Sequence, residues 1–252
     1  MEMAEEDSIS FTISARGKAG DVPVMEFLRR NFGTLPLERI DSLFGFVERC
    51  TLYGGRPFYG SQLSDKDVAA LYNHSIGVRL PLTNHYVSEE EYREYRWLFE
   101  KYHRPGNSII TTADHLAEWI RRDYPHYQLE ASVVKNIDTH EKIDAALALY
   151  DTVILPMRLN IQPEFLAAIP GEMKKRVTLF ANAGCAFNCP AKICYTAISK
   201  MNKFTGVPFS CSKATMPRQE LGMVFFDLNK LRMAGFRRFK LLQAMAGGIT
   251  GF

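Results

Sequence analysis

No run of eighteen or more apolar residues occurs in the chain, so no transmembrane helix is expected. Charge is also a weak signal: the formal net charge is only +3 and the basic residues are dispersed. That gives little footing for nucleic acid or an anionic membrane. The hydrolase signatures are missing. His140-Glu141 runs on into Lys142, Ile143 and Asp144 without completing H-E-x-x-H, and neither G-x-S-x-G nor a Walker loop occurs. The six histidines are scattered one to a segment, which argues against a His-rich zinc site. No internal repeat, low-complexity tract or shift in composition marks a second domain. Residues Met1 to Asp7 are acidic and have no apolar core, so they do not read as a secretory signal. The expectation is a reducing cytoplasm, where clustered cysteines serve as ligands or redox groups more often than as disulfides.

Eight strand candidates are present: Ile9–Ser14, Ile40–Val47, Ile76–Leu80, Ser108–Thr112, Tyr127–Val134, Asp151–Pro156, Val177–Ala181 and Arg237–Leu242. Helical patterns separate most of them. Val24, Phe27 and Leu28 share a face at helical spacing. Ser64 caps a short helix to Tyr72, and Ser88 with Glu91 forms a capping box ahead of Tyr92, Tyr95, Phe99 and Tyr102. Leu116, Trp119 and Ile120 mark another helix, Asp138 and Glu141 open the next, and Pro163 to Ile169 forms a last one. Such alternation indicates parallel β/α units, and eight of them in 252 residues suit a closed barrel. An open doubly wound sheet is the competitor, but no G-x-G-x-x-G follows the first strand. The expected architecture is a flexible tail over residues 1–8, then one (β/α)8 TIM-like barrel over 9–252. The glycines Gly247, Gly248 and Gly251 read as a tail.

One connection is anomalous. Between strands seven and eight lie roughly 55 residues, far more than the usual handful, and such excess is usually functional. It holds Cys185, Cys189, Cys194 and Cys211, four of the chain's five cysteines, spaced C-x3-C-x4-C-x16-C. The spacing is neither that of a zinc ribbon nor the C-x3-C-x2-C of radical-SAM enzymes. An iron–sulfur cluster, a structural zinc and unliganded thiols all stand open. Cys50, between Val47 and Leu52, reads as a small core residue. On a barrel, these cysteines would meet other strand-end residues at the catalytic face. Those residues are Arg56, Asn84, His85, Lys135, Asn136, Arg158, Asn160, Asn182 and Lys240. Arg56, Lys135, Arg158 and Lys240 would together suit a carboxylate or phosphate, unless they pair with the barrel's own carboxylates.

The segment Leu179-Phe-Ala-Asn-Ala-Gly-Cys-Ala-Phe-Asn-Cys-Pro190, followed by Ile198-Ser199, resembles a motif of peptidase family U32 and its relatives. Glu130 to Asn136, Met157 to Asn160 and Phe239 to Leu241 are similar to the family's later strands. The family includes oxygen-independent hydroxylases, acting in ubiquinone biosynthesis and on RNA bases, several of which hold a [4Fe–4S] cluster on four cysteines. The resemblance implies that Cys185, Cys189, Cys194 and Cys211 are cluster ligands. It also implies oxidoreductase chemistry of the hydroxylase kind on a small anionic, aromatic or nucleobase substrate, with a heterodimeric protein partner in some relatives. The alternatives are a zinc-stapled or metal-free barrel that binds a partner without catalysis and, third, a peptidase, for which no nucleophile–base pair stands out.

Overall fold

In the computed structural model of the chain, which describes residues 8–187, 189, 192–211 and 223–244, the strand candidates pair as expected. The strands are β1 (Ser10–Ser14), β2 (Ile40–Phe44), β3 (Gly77–Leu82), β4 (Ser108–Thr111), β5 (Gln128–Ala131), β6 (Thr152–Ile154), β7 (Val177–Phe180), β8 (Asn182–Ala183), β9 (Val224–Phe225) and β10 (Arg238–Leu241). β1 to β7 and β10 close into an eight-stranded barrel in chain order, every pair parallel. The seam is made by β10, which sets Lys240 level with Thr12 of β1 on one side and Phe180 of β7 on the other. The (β/α)8 architecture is therefore present. Residues 1–7 of the expected tail and the glycines near residue 250 lie outside the described residues.

The helices are α1 (Val24–Phe32), α2 (Asp65–Asn73), α3 (Glu89–Glu94), α4 (Arg96–Tyr102), α5 (Asp114–Asp123), α6 (His140–Leu149), α7 (Pro163–Ala168), α8 (Gly171–Lys174), α9 (Cys194–Lys203) and α10 (Leu228–Met233). Ser64 and Ser88 both form complete capping boxes, with Asp67 and Glu91 answering. The aromatic stripe expected to ride one helix spans two, because Tyr95 leaves helical geometry (φ −93°, ψ 17°) between α3 and α4. Tyr92, Tyr95, Phe99 and Tyr102 are nevertheless all core residues, as is Cys50. Among the described residues, no helix is long and apolar enough to cross a membrane.

Alternate residues of each strand face the barrel interior, and one interior layer is polar. Arg79 of β3 donates to Glu130 of β5 at 2.6 Å and to Ser108 of β4 at 2.8 Å. Thr152 and Thr178 donate to the second Glu130 oxygen at 3.0 and 2.9 Å. A buried charge pair is tolerable only when its remaining lone pairs are met, and here both carboxylate oxygens are. This ion pair forms the floor beneath the C-terminal mouth.

Candidate functional site at the barrel mouth

One layer above that floor, the strand ends supply Ser14, Phe44, Ile110, Phe180 and Lys240, which line a cavity of about 80 Å³. Lys240 is buried. Its ammonium sits 4.1 Å from the Phe44 ring centre and 5.9 Å from that of Phe180. Among the described residues it has neither a carboxylate partner nor a hydrogen bond. Burial pushes its pKa down to about 7 and the Arg79 and Arg56 charges push the same way, while Glu130 opposes them. Glu130 cannot rescue it fully because Arg79 already holds that carboxylate. Burial would raise Glu130, but Arg79, Lys240 and Arg238, with the Thr178 hydroxyl, outweigh it and hold Glu130 below its ordinary value.

Arg56 reaches the same cavity from the loop between β2 and α2. Gly54 and Gly55 bring it there: a Cβ on Gly54 would lie 2.3 Å from the Thr83 carbonyl oxygen, and Gly55 takes φ +72°. The guanidinium donates to Ser14 Oγ at 3.5 Å and Gln62 Oε1 at 3.3 Å. It packs over Phe46 and Phe44, at 5.0 and 5.5 Å from their centres. Burial, then the charge of Arg16, drives its pKa down to about 9, yet an arginine stays charged at neutral pH. The mouth thus holds two buried basic side chains with no carboxylate of their own among the described residues. Water is a poor substitute for an anion in so apolar a setting.

Outside this mouth lies a second cavity of about 560 Å³, lined by Arg158, Cys189, Lys192, Tyr195 and His85. Tyr195 lines both cavities. Of the segment's cysteines, Cys189 lines this cavity; Cys185 stands just after β8, Cys194 is the first residue of α9, and Cys211 follows that helix. All five cysteines of the chain are thiols, with no disulfide. Burial pushes the Cys194 thiol up to about 12, and Cys211, Cys185 and Cys189 each push it further in the same direction. The four cysteines therefore share one neighbourhood around Cys194. They do not converge on a point at single-ion distance: among the described residues, no group of three or more His, Cys, Asp or Glu side chains is arranged to hold a metal ion. Asn188 and Pro190 of the motif lie outside the described residues.

The other strand-end residues have structural duties. Asn84 is fully buried and donates to the carbonyls of Thr51, Tyr53 and Ser199 at 2.8, 3.2 and 2.9 Å. Asn182 exchanges two hydrogen bonds with the backbone of Leu242, and Asn160 donates to the Phe180 carbonyl. Lys135 pairs with Asp114 at 2.7 Å, away from the mouth. Arg158 binds Asp138 and the side-chain oxygen of Asn136, and it still borders the outer cavity. His85, whose pKa burial lowers, contacts Ser199 Oγ at 2.9 Å.

Helix α9 is the element that sequence patterning missed. It begins at a cysteine that read as part of a ligand loop, and its contacts are long-range. Asn202 donates to the carbonyls of Tyr53 and Arg56 and accepts from the Phe58 amide. Ser199 meets Asn84 and His85. Through these bonds α9 fastens the cysteine segment across the loop that carries Arg56. Arg16, Lys192 and Tyr195 were likewise not singled out. Arg16 stands two residues beyond the end of β1, a position that could have flagged it.

No protein-family model matches this chain, and no curated protein sequence matches it. Among solved structures, that of the U32 peptidase Mk0906 is similar, with a TM-score of 0.61 over 94% of this chain and 93% of that one. The two sequences are 12% identical over the match, so the likeness is one of fold.

Proposed function

We propose that this barrel is an oxidoreductase of the hydroxylase kind. Cys185, Cys189, Cys194 and Cys211 would hold a [4Fe–4S] cluster on its C-terminal rim, and Arg56 and Lys240 would hold the anionic group of its substrate in the mouth. The observation that carries the reading is the gathering of four thiols beside a cationic cavity. Burial and then the neighbouring Cys211, Cys185 and Cys189 push the Cys194 thiol up; a bound cation reverses that penalty. A zinc ion draws every sulfur to about 2.3 Å from one point, tighter than any group among the described residues. A four-iron cluster offers a separate iron to each thiolate and so asks for a wider neighbourhood. When bound, the cluster supplies one-electron chemistry. The chain's own residues do the rest. Arg56 and Lys240 fix the anion, the Phe44 and Phe180 rings exclude water, and Tyr195 stands between the mouth and the thiols.

The test is metal and sulfide analysis of the whole chain purified without oxygen. The expectation is about four irons and four sulfides per chain, a brown colour lost in air, and loss of iron in Cys185→Ser and Cys194→Ser. Colourless protein after anaerobic reconstitution, or stoichiometric zinc, would overturn it.

A peptidase is the second reading, favoured by the description of the structural neighbour. The contact between His85 and Ser199 does not supply its machinery. Ser199 is fully buried, and its hydroxyl donates to the Tyr195 carbonyl while receiving the His85 amide. Hydrolysis of a peptide library that survives both iron removal and Cys185→Ser would make this the better reading.

A further inference from the structure

Lys240 has a feature that anion binding alone does not require. An amine meant only to attract an anion works best when fully protonated, and barrel sites commonly keep such a lysine beside a carboxylate. Here the carboxylate in the layer below, Glu130, has both oxygens engaged by Arg79, Thr152 and Thr178. Among the described residues, the other groups lining the cavity are cationic, neutral or aromatic, Arg56, Arg16, Ser14, Tyr195, Phe44 and Phe180 among them. An amine desolvated among apolar rings and next to other cations loses its proton readily and becomes a nucleophile. It also lines the cavity rather than lying sealed beneath it.

We propose that Lys240 is a catalytic nucleophile that forms an imine with the aldehyde or ketone carbonyl of a substrate whose carboxylate or phosphate is held by Arg56. The amine lone pair attacks the carbonyl carbon, forming the C–N bond. The carbonyl oxygen then leaves as water, taking the two protons that the neutral amine carried. No oxidant or reductant is consumed, and the step is reversible. Arg56 is placed for its part because both cations approach the Phe44 ring, at 5.5 and 4.1 Å from its centre. The pKa of about 7 for Lys240 leaves a large share of free amine at neutral pH. An ordinary lysine near 10.4 has roughly one part in a thousand.

This inference rests on the mouth being the substrate site, and it is independent of iron. The experiment is reductive trapping on the whole chain at pH 7, with glyoxylate and sodium cyanoborohydride, followed by peptide mass mapping. Lys240 should be labelled at least about tenfold faster than the exposed Lys66, because burial leaves Lys240 a large share of free amine at pH 7. Arg56→Met removes a charge that favours the free amine and so should slow labelling by both aldehydes, but it should lower the ratio of glyoxylate to acetaldehyde labelling at least about fivefold, because acetaldehyde carries no anionic group for Arg56 to hold. The wild-type measurement needs no variant to fold. Labelling of Lys240 no faster than that of Lys66 would overturn the proposal. So would Arg56→Met slowing both aldehydes equally in protein with an unchanged circular dichroism spectrum. A protein that traps glyoxylate but takes up no iron keeps this inference and loses the cluster; the converse result does the opposite.

Discussion

Replacing Lys240 by methionine should stabilise the protein below neutral pH, which is the reverse of what most core substitutions do. In the unfolded chain the amine keeps its proton up to its ordinary value of 10.5; in the barrel it gives it up at about 7. Between those limits the unfolded state binds more protons, so stability rises with pH. The penalty for burying the ammonium is thus complete below pH 7 and gone above 10.5. At about 1.4 kcal/mol per decade, the full penalty amounts to about 5 kcal/mol. Water entering the open mouth lowers what is measured, so about 3 kcal/mol is expected at pH 6. Methionine keeps the apolar contacts with Phe44 and Phe180 and drops the charge. Urea denaturation at pH 6, 8 and 9.5, in a buffer without multivalent anions and read by the fluorescence of Trp97 and Trp119, measures the difference. The gain should shrink steadily towards the highest pH. A variant less stable than the parent at pH 6, or a gain that does not change with pH, would refute the account of Lys240 as a buried, unpaired amine.

Two further substitutions test the frame around the mouth. Glu130→Gln leaves Arg79 charged inside the barrel with only the half-buried Asp41 at 3.4 Å for a partner, so a loss of about 3 kcal/mol is expected in urea denaturation. Because the folded Glu130 has a lowered pKa, its contribution is present above the unfolded value and lost as pH falls through the folded one, so parent and variant should converge in acid. The pair Arg79→Met with Glu130→Leu should recover much of the loss; no recovery would mean that the charges are not the cause. Asn84→Ala strands three carbonyls that α9 and the Arg56 loop share, at a cost of about 2–3 kcal/mol. Limited proteolysis should then cut first near α9, and an unchanged cleavage pattern would show that Asn84 does not hold the two together.

The barrel was legible because its evidence is local. Each strand is a short apolar run ended by a turn or a capped helix, and eight such units in sequence leave few ways to pair. The errors fall where burial continues past the hydrogen-bonded ladder. Phe46 and Val47 extend the apolar run of β2, yet they are core residues of the following loop, packed with Tyr53 and Phe58. Val133 and Val134 likewise extend the apolar run of β5, but they are only half-buried, in a 3-10 turn that leads to Asn136 at φ 52°. Apolar character reports burial, and burial on a barrel rim does not need a strand.

The candidate site residues differ in what the fold sets beside them. Position at a strand end places a polar side chain on the rim, but its neighbours decide whether it faces a ligand or the protein. Lys135 and Arg158 find Asp114 and Asp138 within reach, and Asn84, Asn160 and Asn182 find backbone. Only part of this is visible in sequence: Asp138 follows Asn136 by two residues, whereas Asp114 lies a strand and helix away. Arg56 and Lys240 differ by what they lack. Both stand over aromatic rings with no carboxylate among the described residues to answer them, and an absence spread over four strands cannot be read from any one segment. The interior layer shows why it arises: the barrel places its glutamate one level too low, and spends it on Arg79. Among the described residues, unmet positive charge is thereby concentrated at the mouth of the barrel, where the proposed substrate would bring its anionic group.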